Sequence, residues 1–169
     1  VFLFLIITFI INIMIKIRKG TKKDLGKVLE LIKELADYEG GLDEVLIGER
    51  DLEEYGFCEN PLYFLLVAES DNNVVGLAIY FIHFSTWKGK CLYLEDLIVS
   101  NKFRRKGIGT MLFEALIKIA HKKGMKRLMW QVLHWNKSAI NFYKKYNANI
   151  SNSWLNGKIT DLEIENYLR

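Results

Sequence analysis

The sequence is poor in the residues that mark extended, cross-linked or metal-clustered proteins. It has one proline, Pro61, and two cysteines, Cys58 and Cys91, which stand far apart without metal-type spacing. Scarce proline together with 50% hydrophobic residues excludes a disordered or collagen-like chain. Two distant cysteines exclude a disulfide-rich scaffold. We interpret both as reduced thiols of a cytoplasmic protein, with one long-range disulfide as the alternative.

A strong excess of one charge is also missing. The formal net charge is +4 over 169 residues, whereas nucleic-acid binding is usually accompanied by a larger basic excess on one face. We therefore expect no nucleic-acid partner. The three histidines, His83, His121 and His134, lack metal-ligand spacing, so the sequence predicts no metal site and gives them structural roles.

The longest apolar run, residues 1–15, is shorter than the roughly 20 residues of a membrane-spanning helix. It also lacks the basic start of a signal peptide, because its first basic residue is Lys16. The sequence predicts that translation begins at Met14 and that residues 1–13 are an apolar tail of doubtful status. A short membrane anchor is the alternative. Residues 14–169 are predicted to form a single domain.

From Ile15 onward, strand and helix patterns alternate. Strands are predicted at 15–18, 63–69, 74–84, 90–100 and 127–133, with one or two more between 150 and 167. Helices are predicted from a Thr21–Asp24 capping box to the Gly40-Gly41 pair, and at 49–55, 107–123 and 136–146. The pattern is that of a mixed α/β domain in which a central strand leads into a glycine-led helix.

The most specific motif joins that strand to that helix. It reads Arg104-Arg105-Lys106-Gly107-Ile108-Gly109-Thr110. Helix N-termini present free N–H groups and partial positive charge, which suit phosphate. The two glycines allow close approach of a ligand, and the three cations attract an anion. The spacing differs from the nicotinamide fingerprint and the nucleotide P-loop. The motif predicts pyrophosphate binding, with a solvated charge run as the alternative.

Several further segments carry a family resemblance. They are Leu31–Ala36 (LIKELA), Ser85–Lys90 (STWKGK), Leu92–Val99 (LYLEDLIV) and Trp135–Tyr143 (WNKSAINFY). With the glycine loop, they resemble the spermidine/spermine N-acetyltransferase group of the GNAT superfamily, which includes thialysine N-acetyltransferase. The resemblance implies the GNAT N-acetyltransferase fold, with a mixed, mostly antiparallel central sheet flanked by helices. It also implies acetyl transfer from acetyl-CoA to a small cationic amine.

The resemblance assigns a set of residues to the donor, acetyl-CoA. It implies backbone contacts from the central strand, pyrophosphate contacts from 104–110, and contacts from the later helix. The strand and late-helix residues are Leu97, Ile98, Val99, Asn136, Lys137, Ser138 and Ala139. Tyr143 matches the general acid that protonates the departing CoA thiolate. A buried aromatic stripe on that helix is the alternative for Tyr143.

Glu95 and Asp96 interrupt an otherwise apolar strand, which is costly unless they are solvated or paired. Strand neighbours point to opposite faces, so both reach one site only if a bulge intervenes. An alkylamine has a pKa of about 10 and must lose a proton before it attacks. We interpret Glu95 as the base and amine anchor, and Asp96 as a second anchor. Ordinary surface acids are the alternative.

The resemblance also implies substrate contacts from Tyr38, Glu39, Trp87, Trp130 and Gln131. Glu39 would add a second negative charge, which suits a molecule with two separated amines. Tyr38 and Trp87 would pack on its alkyl chain or attract its cation.

Two departures from the family pattern affect the expectations. Asn147-Ala148 stands where the family usually has glycine-alanine, and we expect Asn147 to keep the left-handed turn. The tail beyond Trp154 matches weakly, although a homodimer is expected. The acceptor stays open between a polyamine and thialysine, with a protein lysine side chain as a weaker candidate. A non-catalytic acyl-CoA-binding regulatory module is the competing function.

Overall fold

The computed structural model describes residues 14–169. Their contacts group into two compact units, one that ends at Trp130 and one from Gln131 to Arg169, and each is described by itself. The predicted apolar tail, residues 1–13, lies outside the described residues. No helix within residues 14–169 combines the length and the apolar character that crossing a membrane requires.

The first unit is built on a five-stranded sheet in the order β1-β2-β3-β4-β5. The strands are β1 (Ile15–Lys19), β2 (Phe64–Ser70), β3 (Asn73–Ser85), β4 (Gly89–Val99) and β5 (Leu128–Met129). The first four pair antiparallel and β5 pairs parallel to β4. This confirms the predicted mixed, mostly antiparallel sheet.

The tight turn between β2 and β3 follows from its sequence. Asp71 and Asn72 have φ angles of 48° and 63°, and short polar residues of this kind tolerate the left-handed region. Two such residues make the turn that suits the twist of a hairpin. The predicted hairpin is therefore confirmed.

Three helices cover the two faces of the sheet. They are α1 (Leu25–Glu39), α2 (Glu49–Gly56) and α3 (Ile108–Lys122). One buried cluster joins α1 and α2 to one face, through Leu25, Val28, Leu31, Leu52, Leu65, Val67, Leu77, Ile79 and Ile98. Leu112, Phe113 and Leu116 of α3 are buried as well. The predicted end of α1 is confirmed, because Gly40 follows it with a φ of 81°.

The second unit contains α4 (Lys137–Lys144) and α5 (Asp161–Tyr167). The prediction of final strands between 150 and 167 is wrong, since α5 is the regular element that the structure describes there. The reason lies in the sequence: Thr160 and Glu163 form a capping box, in which the Thr160 N–H donates to Glu163 Oε2 at 2.6 Å. The expected left-handed turn after α4 is confirmed, with Asn147 at a φ of 56°.

The predicted strand 127–133 is also much shorter than expected. Only Leu128 and Met129 form β5, and they pair with Leu92 and Tyr93 of β4. Immediately beyond Leu94, β4 contains a bulge, and a bulge bends its strand and increases the local twist. The parallel ladder accordingly stops where β4 turns away.

Both cysteines are free thiols, as the sequence suggested. Cys58 is exposed, whereas Cys91 is buried in β4. The buried Cys91 acts as a small apolar residue of the sheet.

Candidate functional site

A β-bulge places the two strand carboxylates side by side. Ile79 pairs with Asp96 and Tyr80 pairs with Leu94, so Glu95 is an extra residue that no residue of β3 opposes. The bulge breaks the usual alternation of side chains. As a result Glu95 and Asp96 line the same pocket, which is the condition under which both can reach one ligand.

This pocket has a volume of about 560 Å³ and lies where α1 and α2 cover β3 and β4. Most of its walls are apolar or aromatic, and three carboxylates break that lining. The lining residues are Ile32, Ile47, Asp51, Leu52, Tyr55, Leu62, Tyr63, Ile79, Phe81, Glu95 and Asp96. A molecule with a cationic end and an alkyl chain matches this combination.

Among the acids that line the pocket, Asp96 has the pKa that departs most from its ordinary value. Burial, followed by the charges of the nearby carboxylates Glu95 and Glu39, raises its pKa to about 6. Burial also raises the pKa of Glu39. The negative charges of Glu95 and Glu39 therefore act on the buried carboxyl of Asp96, and such a cluster favours a cation.

The bulge changes which residues of β4 point their N–H groups toward β3. The Leu92 N–H donates to the Arg127 carbonyl on the β5 side at 2.9 Å, whereas the Ser100 N–H donates to Val75 on the β3 side at 2.9 Å. Amides alternate along a strand, so after the bulge the N–H groups of Leu97 and Val99 face away from β3.

The N–H groups of Leu97 and Val99 therefore point to the side of β4 on which β5 lies. Among the described residues β5 pairs with β4 only as far as Tyr93, so it does not pair with Leu97 or Val99. The amide of Ile98 points to β3 by the same alternation, opposite Leu77. Of the three residues predicted to offer backbone contacts, two turn their amides toward an open edge.

The predicted phosphate loop leads from β4 to the N-terminus of α3. Arg105 and Gly107 have φ angles of 62° and 78°, both in the left-handed region. The helix begins at Ile108, and its first N–H groups have no carbonyl of the preceding turn to bond. Arg105 and Lys106 are exposed beside them. This loop can hold an anionic group.

Arg104 has a different place from its two neighbours. Its Nε donates to the Val99 carbonyl at 2.9 Å, and its guanidinium lies 5.4 Å from the ring centroid of Tyr38. Its Nη2 is 3.7 Å from Glu34 Oε1. Arg104 thus fastens the loop to β4 and α1.

The other predicted substrate residues lie apart from the pocket lining. Tyr38 packs under Arg104, and Trp87 is 81% exposed in the turn between β3 and β4. Trp130 packs edge-on against Phe113 of α3, with ring centroids 5.5 Å apart. Glu39 is also not among the lining residues, but its negative charge helps to raise the pKa of Asp96.

The second unit carries the remaining predicted residues. The Asn136 side chain caps α4 by accepting the Ala139 N–H at 3.1 Å. Tyr143 is buried on that helix, 5.1 Å from the Phe142 ring centroid. Gln131 donates to Asn156 Oδ1 at 2.6 Å.

Sequence reasoning missed the part of the pocket that α2 and its following loop supply. Asp51 and Tyr55 come from α2, and Leu62 and Tyr63 from the loop. The Tyr63 hydroxyl donates to the Leu52 carbonyl at 2.6 Å, and burial raises its pKa to about 12. The available signal was the short amphipathic pattern of α2, which presents one face to the sheet.

Known proteins share both the sequence and the fold. The model of the acetyltransferase (GNAT) family matches residues 29–148. A thialysine N-ε-acetyltransferase of Bos taurus is 40% identical over 79% of this chain and 84% of its own. The spermidine/spermine N(1)-acetyltransferase-like protein 1 of Homo sapiens is 35% identical over 79% of this chain and 20% of its own.

A solved structure has the same fold. An integron cassette protein from the mobile metagenome of V. cholerae superposes with a TM-score of 0.74 and 27% identity, over 92% of this chain and 98% of its own. The chain therefore belongs to the acetyltransferase (GNAT) family and is an acetyltransferase enzyme.

Proposed function

We propose that the enzyme transfers the acetyl group of acetyl-CoA to a primary amine of a small diamine, polyamine or thialysine-like amino acid. The observation that carries this proposal is the bulge, which gives Glu95 and Asp96 to one largely apolar pocket. The carboxylates attract the ammonium group, and the apolar walls accommodate the alkyl chain between its charges.

Proton removal from the acceptor is the first chemical requirement. An amine with a pKa of about 10 arrives protonated and becomes a nucleophile only after deprotonation. Glu95 is exposed to solvent at the pocket, so it can take the proton directly or pass it to water. Asp96, with its pKa of about 6, is ionised at neutral pH and anchors the cation.

The donor side draws on the open edge of β4 and on the loop before α3. Acetyl-CoA supplies an activated acetyl thioester. The outward amides of Leu97 and Val99 suit its amide-bearing arm and the charge that develops on the thioester oxygen. Arg105, Lys106 and the first amides of α3 suit its pyrophosphate.

Two assignments from the resemblance complete the mechanism. Tyr143 protonates the thiolate, and residues 136–139 contact the donor. Amine and acetyl-CoA are bound together, and the amine attacks directly. A homodimer and a cytoplasmic location belong to the same proposal.

The identity of the relatives bears on the acceptor. Thialysine N-ε-acetyltransferases from Bos taurus and Mus musculus match at 40% and 38% identity. The relative named for spermidine and spermine matches at 35%. We therefore place thialysine first among the acceptors and keep the polyamines as the second candidates.

One experiment tests the reaction and its acid. Purified enzyme is offered acetyl-CoA with putrescine, spermidine, spermine, thialysine, lysine or a lysine-containing peptide, and the products are identified by mass. We expect acetylation of thialysine, with the polyamines as the second candidates. Tyr143→Phe should lower kcat by about 100-fold or more and leave acetyl-CoA affinity unchanged, whereas the matched Tyr146→Phe should retain activity. Acetyl-CoA binding without any product, or full activity of Tyr143→Phe, would contradict the corresponding part of the proposal.

A further inference from the structure

Two nitrogen atoms close to the turn between β3 and β4 are buried without a hydrogen-bond partner among residues 14–169. They are His83 Nε2 and Arg127 Nε. Native structures retain few such atoms, and each calls for an explanation. The one hydrogen bond of the Arg127 guanidinium in this part of the chain runs from Nη2 to Ser85 Oγ at 3.4 Å.

These side chains share one face of the sheet. His83 is directly opposite Cys91 on β4, and the Leu92–Leu128 pair sets Arg127 beside Cys91. Paired residues on neighbouring strands point to the same face, and Ser85 is two residues beyond His83 on the same strand. The hydrogen bond between Arg127 and Ser85 agrees with this arrangement.

A row of aromatic rings, formed by Phe81, Tyr93 and His83, connects these side chains to the pocket that Glu95 and Asp96 line. Phe81 lines the pocket and stacks on Tyr93, with ring centroids 5.0 Å apart. The His83 ring meets the other side of this pair, edge-on to Tyr93 at 6.3 Å. A row of packed rings therefore runs from the pocket that Glu95 and Asp96 line to the place where the Arg127 guanidinium and the His83 imidazole are buried.

We propose that Arg127, His83 and Ser85 bind the carboxylate of an amino acid whose side-chain amine is acetylated at the Glu95–Asp96 end. A guanidinium fork matches the two oxygens of a carboxylate, and an imidazole can donate from Nε2. The two unpartnered nitrogens thus gain acceptors at once. The inference rests on the proposed function and names, within it, the class of acceptor.

The positive charge of Arg127 disfavours polyamines, the competing class of acceptor. β4 advances by about 13 Å over the four residues from Cys91, beside Arg127, to Glu95. The Arg127 guanidinium extends toward Ser85, which is opposite Gly89, so only an extended acceptor can bind at both ends. A polyamine that lies along the row of aromatic rings would bring a second cation toward Arg127, and the positive charge of the guanidinium would repel it. An amino acid such as thialysine also brings an α-ammonium group, but the carboxylate on the same carbon neutralises that charge and can bind the guanidinium.

A matched pair of acceptors tests the carboxylate alone. Thialysine and bis(2-aminoethyl) sulfide differ only in that group, so the ratio of their kcat/KM values reports its recognition. We expect Arg127→Gln to lower this ratio by about 10- to 100-fold, the effect of losing a charge-assisted hydrogen bond. Arg127→Lys should give a smaller loss. Lys126→Gln removes an equal charge from the exposed neighbour and should leave the ratio unchanged.

His83 provides a second, independent variant. His83→Leu should lower the same ratio, and His83→Gln, which keeps an N–H donor, should recover part of it. If the ratio stays at the wild-type value in Arg127→Gln and in His83→Leu, the two nitrogens are hydrated rather than ligand-binding, and the inference is overturned.

Calorimetry separates this inference from the proposed function. Thialysine is titrated into the CoA-bound wild-type enzyme and into each variant whose circular dichroism spectrum matches wild type. Weaker binding by about tenfold in Arg127→Gln or His83→Leu supports the carboxylate site even if no acceptor is acetylated. Equal affinity for thialysine and bis(2-aminoethyl) sulfide in the wild type overturns the site even if both are acetylated.

Discussion

Among single residues, Asp96 is an acid whose burial lowers the stability of the fold at neutral pH. Its carboxyl is held beside Glu95 and Glu39 in a mainly apolar pocket, and its pKa rises from 3.8 to about 6. A folded-state pKa above the unfolded value favours folding while the group is neutral. That contribution is complete below pH 4 and is lost as the pH rises through 6. In the proposed site, a bound ammonium group would offset this cost, because an opposite charge favours the ionised carboxylate.

We predict that Asp96→Asn is more stable than wild type at pH 7 by about 2 kcal/mol, because two pKa units correspond to nearly 3 kcal/mol before solvent screening. The gain should disappear at pH 4, where wild-type Asp96 is largely protonated. Urea unfolding at the two pH values measures it. The same variant should have a raised KM for the amine. Glu95→Gln, at the exposed neighbour, removes only the charge contribution to the Asp96 pKa and should give a smaller gain; an equal gain would contradict the assignment of the strain to the burial of Asp96.

Among the elements, the connection from β4 into α3 contains two glycines, Gly107 and Gly109, that differ in their backbone conformation. Gly107 has a φ of 78°, and a Cβ there would meet no atom of residues 14–169 within 4 Å, so among these residues an alanine would meet only backbone strain. Gly109 has no such φ, and its Cβ would be 3.9 Å from Val99 Cγ2, which is an ordinary contact. The backbone conformation therefore favours a glycine at 107, whereas nothing in the conformation or packing among residues 14–169 calls for one at 109.

We predict that Gly107→Ala costs about 1 kcal/mol of unfolding free energy, from left-handed strain. Gly109→Ala should raise the thermal midpoint slightly, because it removes the backbone entropy of a glycine in the unfolded chain without a clash in α3. It should nevertheless weaken acetyl-CoA binding by about tenfold, the loss of one phosphate hydrogen bond. Thermal melts and calorimetric titration measure the two effects. Undiminished acetyl-CoA affinity in Gly109→Ala would show that the phosphate approaches elsewhere.

Across the whole molecule, one arginine ties the first strand to the rest of the sheet. Arg18 of β1 donates from both Nη atoms to Asp24 at 2.8 Å, and its Nε donates to Glu69 of β2 at 2.7 Å. Its hydrogen bonds lower the pKa of Asp24 from 3.8 to about 2, although burial opposes the shift. The pKa of Arg18 is raised in turn. A lowered acid pKa gives stability that is present above pH 4 and is lost as the pH falls toward 2.

We predict that Asp24→Asn lowers the unfolding free energy at pH 7 by about 2 kcal/mol and flattens its pH dependence between pH 4 and 2. Guanidinium unfolding across that range measures both. Glu53→Gln removes the exposed partner of Lys22 and should change stability by less than about 0.5 kcal/mol. A loss in Glu53→Gln as large as that in Asp24→Asn would mean that charge number, rather than burial, governs the acid sensitivity.

Several elements follow from local chemistry and could be predicted from the sequence. The Asp71-Asn72 turn, the Gly40 stop and the glycine-led α3 each depend on residues that are close in the chain, so pattern and propensity were enough. The Thr160–Glu163 cap was equally local; the wrong strands there came from overlooking it. The motifs also sufficed for the family.

The assembly of the site, by contrast, depends on tertiary contacts. The bulge at Glu95 depends on pairing with β3, and the pocket depends on α2, which is distant in sequence from β4. The placement of Trp130 against Phe113 and the meeting of His83 with Arg127 have the same origin. Register and burial are properties of residues far apart in the chain, and their energies are set by neighbours that no local pattern identifies.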